Sequence, residues 1–343
     1  GAIARRNVVD ILVEGLNRLE YRGYDSAGVA VLNKQNEIQS VREMGKVKEL
    51  ENALLETPAP GYVGIAHTRW ATHGKPSQAN AHPHMSGDNL VLVHNGIIEN
   101  HESLRKKLKS DGYEFTSQTD SEVIVHLLHQ QLEKTADITE AVKTIIKQLD
   151  GAYALGVMSA DQPDKLIAAR QGSPLVIGVG MGEHFIGSDP LALLQVTDRF
   201  IYLEEGDLAE LTSEGLTIWD INGEQVEREI KKFEHKLGTA DKGEFRHYMM
   251  KEIHEQPDVV RNCLQGRIAN GKVLENAFGT ETNELFDKVK AVQIVACGTS
   301  FHSGMVAKYW IEDLVGIPCQ VEVASEYRYR KSPVLPDTLF ITI

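Results

Sequence analysis

Several residue types able to grip a small polar ligand stand at the ends of short apolar runs in the first third of this chain. Arg69 lies within Gly64-Ile-Ala-His-Thr-Arg-Trp-Ala-Thr-His-Gly74, Asn95-Gly96 follows Leu90-Val-Leu-Val-His94, and Asp120 follows Thr119. A scaffold holds polar groups toward a ligand at such positions. The planar fork of Arg69 matches a carboxylate, and Asp120 can accept hydrogen bonds from an ammonium, so the two together would recognise a free amino acid. Taken singly, charges like these ordinarily form surface ion pairs. Asn95-Gly96 reads in two ways: as a common turn dipeptide, or as a side-chain NH₂ and an unhindered backbone N–H aimed at one developing negative oxygen.

His67, His73, His82, His84 and His94 lie within thirty residues. A structural zinc site wants four converging ligands, yet this region has no cysteine and no His-x-x-x-His helix, so the histidines read as neutral hydrogen-bonding groups and no metal is expected.

The elements that must position these residues are legible as periodicities. Val8, Val9, Leu12, Leu16 and Leu19 recur at helical spacing, which predicts a helix over 6–20. Residues 27–32, 64–67 and 90–94 read as strands of a sheet buried on both faces, with the polar cluster at their ends. Asp120 opens what reads as a capped helix, and 139–149 carries a similar stripe, so these form a covering layer. From 152 to 219, Gly-punctuated strands suggest an antiparallel continuation. The pattern fits a four-layer α/β/β/α sandwich or two separate α/β units. The charged, glycine-containing stretch from 231 to 244 reads as the region of a linker. Beyond it, helices near 248–264 and 283–289 precede a strand at 291–296, the turn Cys297-Gly-Thr-Ser300, a helix over 302–314 and strands at 320–323 and 338–343. This is a β-α-β unit of a doubly wound sheet, with its turn where such sheets bind ligands. A Gly/Ser/Thr turn ahead of a helix is first a cap and only then a phosphate or sugar site. Cys297 reads as a small packed residue rather than a nucleophile, because no His or Asn partner is suggested nearby.

At 343 residues, with 42% hydrophobic residues, the chain has room for one large domain plus part of another. Its formal net charge of −13, without a basic block, argues against a nucleic-acid partner. Three cysteines with no paired spacing fit a reducing compartment, and no apolar stretch is long enough to span a bilayer, so the expected location is the cytoplasm with no membrane partner.

The motifs His67-Thr-Arg-Trp-Ala-Thr-His-Gly74 and Glu326-Tyr-Arg-Tyr-Arg-Lys-Ser332, with Arg22-Gly-Tyr-Asp-Ser26 before them, closely resemble the glutamine:fructose-6-phosphate aminotransferases. The resemblance implies an N-terminal-nucleophile hydrolase sandwich over 1–236, a linker over 237–246, and the first part of a sugar-isomerase (SIS) domain, truncated, over 247–343. It implies that Arg69 holds the glutamine carboxylate and Asp120 its amino group. Trp70, Thr72 and His73 would belong to the loop closing over glutamine, and His82 would position that loop. Trp70 would also gate ammonia between the domains, while Asn95 and Gly96 would form the oxyanion hole. The family's nucleophile is an N-terminal cysteine, expected just upstream of Gly1, near which Arg22 would favour the thiolate. Thr299 and Ser300 would contact fructose 6-phosphate. The implied reaction makes ammonia from glutamine and converts fructose 6-phosphate to glucosamine 6-phosphate, with no cofactor, in a homodimer. Without that cysteine and the later isomerase residues the chain as written is expected to be inactive. The other readings are a glutamine- or sugar-phosphate-binding regulatory module without turnover, and another amidotransferase on the same hydrolase fold.

Overall fold

The computed structural model describes residues 1–20, 23–70, 74–233, 245–269, 271–278 and 282–343. In chain order its main elements are β1 (Ala2–Ile3), α1 (Val9–Leu19), β2 (Ser26–Leu32), β3 (Ile38–Met44), α2 (Val47–Glu56), β4 (Val63–Arg69), β5 (His84–Ser86), β6 (Leu90–Ile98), α3 (His101–Ser110), α4 (Ser121–Leu132) and α5 (Ile138–Ile145). There follow β7 (Gly151–Ser159), β8 (Gln162–Gln171), β9 (Val176–Val179), β10 (His184–Gly187), β11 (Arg199–Tyr202), β12 (Leu208–Leu211), β13 (Leu216–Trp219), β14 (Gln225–Val226) and β15 (Ile230–Lys232). The remainder comprises α6 (Tyr248–Leu264), the hairpin β16 (Ile268–Ala269) and β17 (Lys272–Val273), α7 (Thr282–Phe286), β18 (Ala291–Ala296), α8 (Gly298–Trp310), β19 (Cys319–Val323), α9 (Ala324–Tyr329) and β20 (Thr338–Thr342).

Two compact units result, Gly1–Thr280 and Glu281–Ile343. In the first, an eight-stranded sheet of order β15-β11-β9-β10-β1-β4-β2-β3 and a seven-stranded sheet of order β14-β13-β12-β8-β7-β6-β5 are antiparallel throughout. Alternation along the strands sorts their side chains onto two faces. Ala30, Leu32, Val63 and Ile65 of the first sheet meet Val91, Val93, Ala154 and Leu166 of the second in a core between the sheets. The opposite faces are covered separately. Ala27, Val29 and Val31 pack with Val8, Leu12, Leu16 and Leu50 from the α1 and α2 side, while Leu90, Leu92 and Leu155 pack against Ile124, Leu128, Ile138 and Val142 of α4 and α5. Three apolar seams make four layers, the sandwich and not two α/β units.

The strands differ from the periodicity reading in ways that matter for the site. β4 runs to Arg69 and β6 to Ile98, so both carry their polar residues inside the ladder. Asn95-Gly96 is therefore not a turn and does not follow the strand: Asn95 pairs with Ala154 and Gly96 with Tyr153. The short strands β1, β5 and β10 and the half-exposed β3 escaped the pattern, because they are too brief or too polar to show an apolar run. The runs at 27–32 and 90–94, read as one sheet, fall in different sheets.

Helix α6 and the β16–β17 hairpin group with the first unit, where Leu274 joins Ile97 and Ala152 in a small buried cluster. The linker read at 237–246 lies almost entirely outside the described residues. In the second unit β18 lies between β19 and β20, both parallel to it, and α8 packs so closely that a Cβ at Gly304 would come 3.0 Å from Val321 Cγ1 and 3.1 Å from Ile294 Cγ2.

Gly28 is where the fold makes room for the site. A Cβ there would stand 2.1 Å from the His82 carbonyl oxygen, so the absence of a side chain lets the segment around His82 lie against the inner face of β2. Gly28→Ala should cost about 3 kcal/mol, as an overpacked core position does. Gly215→Ala, whose nearest neighbour is Thr212 Oγ1 at 4.0 Å, should change stability by less than about 0.5 kcal/mol. Urea denaturation of the two variants checks this.

Candidate active site

The inner faces of the two sheets converge on polar residues at one end. Because Val63 and Ile65 point into the inter-sheet core, the period of two puts His67 and Arg69 on that same face of β4. By the same parity Ser26 and Gly28 lie on the inner face of β2, where Ser26 pairs directly with Arg69. On the facing sheet Val91 and Val93 point inward, and so does Asn95 two residues on. His94 points the other way, toward α4, where its Nδ1 meets Ser121 Oγ at 2.9 Å.

Asp120 sits at the N-terminus of α4 without capping it. Its Oδ2 instead accepts from the backbone N–H of Ile98 at 2.9 Å, which ties the helix start to the end of β6, and it stands 3.9 Å from His94 Nδ1. The helix-cap reading of this residue is thereby replaced by a cross-element link. Arg69 is 4% exposed and Asp120 3%. Burial lowers the Arg69 pKa from its usual value, opposed by the carboxylates of Asp25 and Asp120, and the group stays a cation. Its Nη2 also donates to the Gly74 carbonyl at 3.2 Å.

The segment that carries Asp120 is fastened from three sides. Glu122 accepts from the backbone N–H and the hydroxyl of both Thr116 and Ser117, at 2.7 to 2.8 Å. Burial alone would raise the Glu122 pKa, but the hydrogen bonds it accepts outweigh this and hold it well below the usual carboxylate range. Arg105 donates to the carbonyls of Ser117 and Thr119, and Asn80 Oδ1 accepts from the Gln118 N–H at 2.8 Å.

The histidines form a stack rather than a ring of ligands. His67 and His82 lie face to face with centroids 4.3 Å apart, and His84 meets His82 edge-on at 4.6 Å. His82 Nδ1 accepts from the His94 N–H at 3.3 Å, and His84 Nε2 meets Thr119 Oγ1 at 3.0 Å. Burial lowers His67 and His84 to about 3, takes His82 well below 6.5 and also lowers His94, so all four are neutral near pH 7.

Of the residues singled out from sequence, Arg69 and Asp120 share one buried electrostatic cluster, His82 packs beside them, and Asn95 faces the same space. Gly96 is held at φ +145°, and a Cβ there would stand 2.0 Å from the Ala152 carbonyl oxygen, so only glycine fits. Trp70 follows β4 about half exposed, edge-on to Tyr24 at 5.5 Å. Arg22, Thr72 and His73 lie outside the described residues. Thr299 and Ser300 belong to the second unit, in the first turn of α8 at the carboxyl end of β18. There the strand order β19-β18-β20 reverses direction about β18. Cys297 is exposed, not packed as expected; Cys319 is the buried one. Sequence reasoning passed over Asp25, Ser26 and Arg105, and gave His84 no place beyond that of a neutral hydrogen-bonding group. The first two stood inside a quoted motif, but nothing local distinguished Arg105 from other helical charges.

Comparison with known proteins gives this geometry a lineage. Residues 67–195 match the glutamine amidotransferase domain and residues 285–343 the SIS domain. Over all 343 residues the chain is 62% identical to a glutamine--fructose-6-phosphate aminotransferase [isomerizing] of Pseudomonas aeruginosa and 56% identical to that of Haemophilus influenzae. Along its whole length the chain is similar to these aminotransferases, with a glutamine amidotransferase match and an SIS match in the same order. It spans 56% of the length of these relatives. Among solved structures it resembles a glutamine phosphoribosylpyrophosphate amidotransferase from B. subtilis, with TM-score 0.55 and 20% identity over 93% of this chain and 64% of that one, a likeness of fold. No helix among the described residues is long and apolar enough to cross a membrane.

The histidine stack predicts a pH dependence of stability. Folded-state pKa values near 3 for His67 and His84 lie below the free value of about 6.5, so between these limits the unfolded chain binds more protons than the folded one. Stability is full above about pH 6.5 and falls as pH drops toward 3, by roughly 1 kcal/mol per pH unit for each such ring. Urea midpoints measured from pH 7.5 to 4.5 should decline, and His84→Gln should flatten the slope.

Proposed function

We propose that this protein hydrolyses glutamine in its first unit and delivers the ammonia to fructose 6-phosphate, forming glutamate and glucosamine 6-phosphate. The observation that carries the reading is the meeting of Arg69 and Asp120, a buried cation and a buried anion from different layers, in a space that Asn95 faces from the opposite sheet. Carboxylate, ammonium and amide are the three polar ends of glutamine, and these residues answer them in that order. Arg69 forks the carboxylate, and the buried carboxylate of Asp120 accepts from the ammonium. Asn95 and Gly96 donate to the oxygen that becomes negative when the amide carbon is attacked.

The nucleophile in this reading is a cysteine ahead of Gly1. Register supports it: Ala2 pairs with Gly64 and Ile3 with Val63, so the second and fourth residues ahead of Gly1 in a continued β1 come opposite His67 and Arg69. They share the inner face with Ile3. Attack of the thiolate on the amide carbon expels ammonia, and water then cleaves the thioester to glutamate. In the second unit Thr299 and Ser300, beside the strand-order reversal at β18, would hold the sugar phosphate. The domain limits 1–236, 237–246 and 247–343, a homodimeric state and a cytoplasmic location belong to the same proposal.

In the full-length protein, Arg69→Ala and Asp120→Asn should each raise KM for glutamine on the order of 10- to 100-fold, the worth of one charge-assisted contact. Glutamate release with and without fructose 6-phosphate measures it. Glutamine bound but never turned over by the parent protein would instead mark a regulatory module.

A further inference from the structure

The hydroxyl of Ser26 has no role in the site as described. Ser26 is 1% exposed, and its Oγ has no hydrogen-bond partner among the described residues. Alanine would fill the same room without stranding a buried donor, so the position is costly unless something completes it. Its surroundings identify what. Ser26 is the direct cross-strand partner of Arg69, and in an antiparallel pair directly opposed side chains have Cβ atoms about 4.5–5.5 Å apart on one face. That face is the inner one, shared with His67 and, across the gap, with Asn95.

Resting on the glutamine reading above, we propose that Ser26 is a second donor to the substrate's α-carboxylate, placed beside Arg69. A carboxylate gripped by a guanidinium keeps lone pairs that the fork does not use, and a neutral hydroxyl can take one without adding charge to a buried site. Ser26 belongs with the carboxylate end and not with the reacting amide. Its partner is Arg69 on its own sheet, whereas the donors assigned to the amide oxygen, Asn95 and Gly96, sit on the other sheet. The role is binding of the free amino acid, with no part in bond breaking.

The test is kinetic, in the full-length protein, with glutamine and with 4-aminobutanamide, which is glutamine without its α-carboxylate. Ser26→Ala should raise KM for glutamine on the order of 10-fold with kcat within about twofold, and leave KM for 4-aminobutanamide unchanged. Its melting temperature should not fall, since a stranded hydroxyl has been removed. An unchanged KM for glutamine, an equal penalty on both substrates, or a loss confined to kcat would overturn the assignment while Arg69→Ala still confirms the site. A parent protein that neither binds nor turns over glutamine would overturn the glutamine reading and this inference with it.

Discussion

A buried guanidinium must be answered by nearby carboxylates, and the architecture of the first unit turns on that demand. Arg69 is carried inward on β4 by the strand's alternation, and Asp25 and Asp120 supply the opposing charge. Each of those carboxylates comes from a different layer, Asp25 from the segment entering β2 and Asp120 from the start of α4. The charge balance therefore closes only when both sheets and a covering helix are assembled.

Much of the surrounding polar structure keeps that balance fixed. Glu122, Arg105 and Asn80 fasten residues 116–119 and so set the height of Asp120 above the sheet. The histidines next to them add hydrogen-bonding groups without adding charge, since burial keeps the rings neutral. A protonated ring beside Arg69 would undo the match, which is why the same stack that builds the site makes the fold sensitive to acid. Gly28 and Gly96 work at the level of the backbone, each admitting a carbonyl where a side chain would stand.

The second unit is simpler, a parallel three-stranded sheet whose central strand ends at Ala296 and whose helix begins at Gly298, with Cys297 between them.

Sequence by itself determined the composition of the layers and the chemical inventory of the site. Helical stripes such as Val9, Leu12 and Leu16, and runs such as Leu90–His94, are local patterns whose burial follows from their own spacing. The motif around Arg69 carried the family resemblance, because a run of residue types is legible without any knowledge of the fold. Tertiary structure alone decided that Asn95-Gly96 lies within a strand, that Asp120 serves β6 rather than its own helix, and that Ser26 faces Arg69. Each of those facts depends on register between segments far apart in the chain. Register is set by closing whole sheets against one another, and no window of residues contains that information.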